Sequence, residues 1–139
     1  MNSNWYEDVK DFHKSFNLRV GQTPAFPEDV NERILRMNLL EEEFNEYIDA
    51  EQKLDIVGIA DALADVIYIA CGTAVSYGIP LDKVFEEVHR SNMAKLVDGK
   101  PIYREDGKVL KPAGWQPPNI ESILEDHKNQ FHLKQNITL

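Results

Sequence analysis

Apolar positions recur at helical spacing along most of this chain. Trp5, Val9, Phe12 and Phe16 predict a short helix over residues 4–16. Pro24 and Pro27 break the pattern, and a long helix is expected over residues 28–52. Val30, Ile34, Met37, Phe44 and Ile48 form its main stripe, and Leu35 and Leu39 start a second one nearly opposite. Glu42, Glu43 and Glu46 continue that second stripe, which puts them on a partly apolar face under another helix; Glu41 falls on the main stripe, where the pattern does not explain it. A third helix is expected over residues 55–77. Asp61 and Asp65 are its only charged residues between Ile56 and Val75, and a helix that apolar on all sides is normally buried. Asp61, Asp65, Tyr68 and Gly72 share one face, with Gly72 expected to admit another backbone. Gly78 fits a C-cap and Pro80 a helix start. The fourth helix, residues 81–95, has an apolar face of Leu81, Val84, Phe85 and Val88, continued by Asn92 and Lys95. Asp106-Gly107 between the β-prone runs 102–104 and 108–110 predicts a hairpin over about 100–111. Asn119 can cap a last helix over about 120–130, followed by a loose tail. The expected fold is a single all-α domain, a bundle of about five helices with a small β-hairpin after the fourth.

Composition narrows the function. The 139 residues carry a net charge of −9, which argues against nucleic-acid binding while leaving room for a phosphorylated ligand held through metal. Cys71 is the single cysteine and sits in the apolar helix, so it reads as packing in a reducing cytoplasm. Residues 1–8 lack a basic region followed by an apolar one, so no signal peptide is expected. Residues 56–75 have the length of a membrane span, but each central Asp opposes insertion by roughly 2.5–3.5 kcal/mol. The helix is therefore read as the centre of a bundle, with no membrane partner.

Glu-x-x-Glu on its own usually marks a solvated helix face. Here Glu43 and Glu46 align with leucines, and Asp61 and Asp65 sit in an otherwise uncharged helix. Bare buried carboxylates are costly unless a cation compensates them. Fifteen to nineteen residues separate Glu46 from the Asp pair, enough for the chain to turn and return antiparallel. The constellation suggests a Mg²⁺ site, since Mg²⁺ takes oxygen ligands and works with substrate phosphates. Residues 95–111 hold Lys95, Lys100, Arg104, Lys108 and Lys111 against three acids, a basic segment in an acidic chain. A basic flap beside a metal-loaded pocket suits a polyphosphate; a solvated hairpin is the equal alternative.

The run Leu40-Glu41-Glu42-Glu43-Phe44-Asn45-Glu46 resembles the Glu-Glu-x-x-Glu motif of the MazG-type all-α nucleotide pyrophosphohydrolases. Residues 60–68 are similar to the second acidic helix of that group, and residues 86–95 to its Asn-x-x-Lys helix. The nearest branch is the phosphoribosyl-ATP pyrophosphohydrolase-like one, and the resemblance spans roughly residues 30–111. It implies hydrolysis of a nucleoside triphosphate between the α- and β-phosphates, with Mg²⁺ (or Mn²⁺) as cofactor. It also implies assembly into a homodimer or homotetramer and a role in clearing unwanted nucleotides. Carried over by position, Glu43, Glu46 and Asp65 are metal ligands, with Asp61 a fourth. Glu42 orients or deprotonates the attacking water or holds a further ion. Lys95, with Arg104 or Lys111, holds phosphates, and Asn92 contacts sugar or base. Trp115 either stacks on a base or packs. One departure stands out. The group's second motif is usually Glu-x-x-Asp, yet Ala62 occupies the Glu position and Asp61 lies one residue earlier.

Phosphoribosyl-ATP hydrolysis in histidine biosynthesis is the alternative enzyme reading. Two readings of another class remain at this level. Glu86-x-x-His89 is half of a di-iron pattern that needs two such motifs, and the chain has one. A non-catalytic helical binding module would use the same acids only to solvate a groove.

Overall fold

The computed structural model describes residues 4–137. They form α1 (Trp5–Ser15), α2 (Val30–Gln52), α3 (Ile56–Tyr77), α4 (Leu81–Met93) and α5 (Ile120–Ile137). Side-chain oxygens close every helix start but that of α4, which begins after Pro80. Asn4 accepts from the Glu7 N–H, Asp29 from Asn31 at 2.8 Å, Asp55 from Gly58 at 3.0 Å and Asn119 from Ser122 at 3.1 Å. Between α2 and α3 the chain turns in three residues, Lys53 to Asp55, with Leu54 in the left-handed region at φ 53°. So short a turn forces the two helices antiparallel, and their contact is the most extensive in the fold.

The core is small. Tyr6 and Val9 of α1 pack on Cys71, Ala74 and Val75 of α3, with Val20, Ile79 and Leu81 against them. Cys71 is buried and free, and burial raises its thiol pKa, as expected of a packing residue. α3 ends at Gly78, in the left-handed region at φ 69°. The connection after α1 is strapped to this end, with Gly21 donating to the Val75 carbonyl at 2.8 Å and Ala25 to Tyr77 at 2.9 Å. A Cβ at Gly78 would lie 2.3 Å from the Thr23 carbonyl oxygen, which is backbone and cannot swing away. Backbone strain and overpacking each cost about 1–3 kcal/mol. Gly78→Ala should therefore lower stability by about 3 kcal/mol, a drop in Tm of about 10 °C by thermal melting; an unchanged Tm would mean that the strap is not held in solution.

Several expected faces are reassigned. On α1 the buried row is Tyr6, Val9 and His13, while Trp5 and Phe16 are exposed. Phe12 stacks on Phe16 and meets Tyr68 edge-on. On α4, Val84 is buried but Phe85 is exposed. Gly72 admits side chains rather than a backbone: a Cβ there would lie 2.4 Å from the Arg36 guanidinium and 3.1 Å from the His13 ring. Helix α5 continues to Ile137 where a loose tail was expected after residue 130, because Ile123, His127 and Phe131 form one half-buried row at four-residue spacing.

The β-hairpin does not form. Among the described residues there is no strand; the 102–110 segment turns back through isolated bridges such as Tyr103 to Val109. The Arg104 N–H donates to the Lys108 carbonyl at 2.7 Å and the Leu110 N–H to Ile102 at 2.7 Å. Every residue from 101 to 111 is exposed, so no packed face exists to extend the pairing.

The largest departure concerns α2 and α3. The main stripe of α2, from Val30 through Ile34, Met37 and Phe44 to Ile48, points to solvent in the single chain. The row turned toward α3 is mixed: Glu32, Arg36, Leu39, Glu43, Tyr47 and Ala50 are its less exposed members. Helix α3 is likewise not enclosed, with Ile56, Val57, Leu63 and Ile67 exposed. By length and composition α3 is apolar enough to cross a bilayer; in the structure it packs along α1 and α2.

Candidate metal centre

The tight turn at residues 53–55 explains how carboxylates from two helices meet. Glu43 lies eleven residues before Leu54 and Asp65 eleven after it. At 1.5 Å per residue both sit about 16 Å from the turn, side by side on antiparallel helices. Carboxylate oxygens of Glu43, Glu46 and Asp65 lie within 4.8 Å of one another. Glu43 Oε2 is shut off from solvent and has no hydrogen-bond partner. Burial first, then the close approach of Glu46 and the charges of Glu46, Asp65 and Glu42, push the Glu43 carboxyl up to about 7.

The donor set fits a hard divalent cation. Three carboxylates from two rigid helices converge on one point, and an orphaned, buried oxygen faces the acids that repel it. A cation there would relieve both penalties, and all-oxygen donors suit Mg²⁺ or Mn²⁺. In the metal-free protein the Glu43 proton has a thermodynamic consequence. An acid whose folded pKa exceeds its ordinary 4.5 holds a proton more readily folded than unfolded. Its contribution is present at low pH and is lost as pH rises through about 7. Discounted for solvent screening, the loss is on the order of 1 kcal/mol. In chelator, Tm should fall by a few degrees between pH 5 and pH 8, and Glu43→Gln should flatten that slope; an equal slope in the variant would assign it elsewhere.

Asp61 is exposed and is not one of the converging acids. The α3 residue that shares the α2-facing row with Asp65 is Ala62, which is 2 % exposed. Ala62 stands where the related pattern carries Glu, so a smaller acidic set remains, drawn from Glu43, Glu46 and Asp65. Glu42 lines an open depression of about 540 Å³ with Asn38, Glu41, Asn45, Glu46 and Asp49. All six residues belong to α2, so the depression has one wall. Glu41, unexplained by its stripe, lies on this polar side.

The expected phosphate-binding residues gather elsewhere. The ammonium groups of Lys95 and Lys111 lie 5.3 and 5.1 Å from the centre of the Trp115 ring. Lys95 also donates to Asn92 Oδ1 at 2.8 Å. The Trp115 indole N–H donates to the Ser91 carbonyl at 2.6 Å, fixing the ring on the end of α4. Arg104 is held by Asp106 in the turn, Nε to Oδ1 at 2.8 Å. Helix α4 packs on α1 and α5, so this basic group and the acidic one belong to different parts of the protomer. His89 is exposed, as its angular position requires.

The pattern along the chain did not flag Arg36. It is 9 % exposed and bridges α2 to α3, donating to Thr73 Oγ1 at 3.0 Å and to the Ile69 carbonyl at 2.8 Å. Arg36 lies seven residues before Glu43, two turns along the same row. It therefore helps set the register that brings Glu43 opposite Asp65. A lone arginine on the row of Leu39 and Glu43 was the available signal.

Residues 9–92 match the phosphoribosyl-ATP pyrophosphohydrolase family, from the middle of α1 through most of α4 and including all the acids of the cluster. This chain belongs to that family. An uncharacterised protein of Acanthamoeba polyphaga mimivirus, L479, is 32% identical over 80 residues, 55% of this chain and 32% of the viral protein. The chain thus spans about a third of the length of that relative. The family is one of pyrophosphohydrolases that typically depend on divalent metal, and the acidic cluster lies within the matched span.

Proposed function

We propose that this protein is a Mg²⁺-dependent nucleoside triphosphate pyrophosphohydrolase that cleaves between the α- and β-phosphates, yielding a nucleoside monophosphate and pyrophosphate. The observation that carries the reading is the convergence of Glu43, Glu46 and Asp65 within 4.8 Å, with one sealed oxygen lacking a partner. These three hold the cation, with Mn²⁺ as an alternative occupant. When bound, the cation offsets phosphate charge and polarises the reacting phosphorus. Glu42, on the neighbouring open face with Glu46, positions and deprotonates the attacking water. Asp61, exposed one turn before Asp65, would add negative charge near the cation from outside the converging trio. Lys95 and Lys111 on the Trp115 platform bind the leaving phosphates, with Asn92 and Arg104 beside them.

Phosphoribosyl-ATP, the substrate named by the family, is the second reading, since the same metal chemistry cleaves the same bond. Product analysis decides between them. A panel of NTPs, dNTPs and phosphoribosyl-ATP, with and without Mg²⁺, should release pyrophosphate from at least one nucleoside triphosphate. Turnover of phosphoribosyl-ATP alone would favour the second reading. Orthophosphate release would place the cut at another bond, and no turnover at all would favour a non-catalytic binding module.

The proposal includes a second copy of this chain. The α2 stripe from Val30 to Ile48 runs about 27 Å and leaves five large apolar side chains exposed. Ile56, Val57, Leu63 and Ile67 of α3 are exposed as well, and large exposed apolar patches mark interaction surfaces. The acidic depression has walls from α2 alone, and the basic group lies on another part of the protomer. A homodimer, or a homotetramer built from it, covers the stripe and supplies the missing wall. The free, buried Cys71 supports a reducing, cytoplasmic setting.

A further inference from the structure

A second cavity lies between α1 and α5, well apart in the chain from the acidic cluster. It has a volume of about 400 Å³, within the range of small-molecule sites, and is lined by Tyr6, Lys10, Gln22, His127, Phe131 and Lys134 among others. No carboxylate lines it, although the chain as a whole carries a charge of −9. Lys10 and His127 are both half-buried, so part of their hydration is already stripped. Burial lowers the His127 pKa, and Lys10, Lys134 and Lys83 lower it further against the opposing charge of Asp82. Cationic groups thus crowd one wall. Burial, followed by the charges of Asp82, Glu7 and Cys71, pushes the Tyr6 phenol up to about 12, so it stays protonated. Helix α5 lies beyond the family-matched residues 9–92, so the cavity is made partly by chain that the family match does not include.

We propose that the cavity between α1 and α5 binds a small phosphate-bearing anion, with Lys10 and Lys134 supplying the charge and His127 beside them. Lysine ammonium groups serve phosphate as compact point charges. Gln22 adds amide hydrogen bonds, and the Phe131 ring offers an apolar wall for a nucleoside attached to the phosphate. The inference is independent of the reaction assigned to the acidic cluster.

The test uses the full chain in chelator, which keeps divalent metal from the acidic cluster, with inorganic pyrophosphate and AMP as probes. Two readouts are followed: the heat of binding and the His127 ring proton resonance, identified by its loss in His127→Gln. Saturable binding that shifts the His127 resonance is expected for at least one probe. It should weaken at least about tenfold in Lys10→Gln/Lys134→Gln and remain unchanged in Glu46→Gln. Preference for AMP would mean that the nucleoside is read against Phe131; preference for pyrophosphate would mean that phosphate alone is read. Either supports the site. No binding of either probe, no shift at His127, or equal affinity in the lysine variant would overturn it. Should the double variant fail to fold, Lys10→Gln alone and the wild-type His127 shift decide the matter.

Discussion

Glu46→Gln and Asp65→Asn should each reduce Mg²⁺-dependent pyrophosphate release by at least about a thousandfold. A bound cation supplies several kcal/mol of charge stabilisation at the transferring phosphoryl group, and about 1.4 kcal/mol is a tenfold change in rate. Glu46 and Asp65 come from different helices, and each contributes an oxygen to the same point. Replacing one by an amide keeps its size and removes its charge. The folded state should not suffer, because neutralising one of several clustered acids relieves repulsion. The loss should therefore appear in kcat and in the metal requirement, with Tm in chelator unchanged or raised. Near-wild-type turnover in both variants would remove the cluster from the chemistry, and a large fall in chelator Tm would make these acids structural.

Ile34→Asp/Met37→Asp should convert the protein from an assembly into a 16.0 kDa monomer by sedimentation equilibrium. Both residues lie on the exposed apolar stripe, on the N-terminal side of the acidic cluster. A charge buried without a partner in an interface costs about 3–5 kcal/mol, which weakens association by about two to four orders of magnitude. The monomer should keep its helical content, since neither side chain packs in the Tyr6–Val75 core. Activity should fall with dissociation if a second copy completes the pocket around Glu42. A wild-type chain that sediments as a monomer would leave the stripe to another partner, and a variant that stays assembled would move the interface off α2.

How much of this was legible beforehand differs by element. Helix existence followed from periodicity and punctuation: Asn119, Gly78 and the prolines stop or start helices through backbone chemistry that operates locally. The acidic trio was legible as well, because carboxylates aligned with leucines in one helix and isolated in an apolar one are anomalies without any fold. Which acid completes the set was not. Asp61 and Ala62 differ by one residue, about 100° of rotation, and only the packing of α3 on α2 turns Ala62 inward and leaves Asp61 exposed. The hairpin failed for a related reason, since two β-prone runs around Asp-Gly need a surface to cover them and residues 101–111 have none. Apolar periodicity likewise identified the stripes of α2 but not their direction. The chain by itself determined an all-α fold, where its helices start and a carboxylate pair poised to meet a third. The tertiary structure decided which face of α2 meets α3, because Arg36 bonds the α3 carbonyl of Ile69 and fixes the polar row inward. That choice seals one oxygen of Glu43 among like charges and leaves the apolar stripe outside.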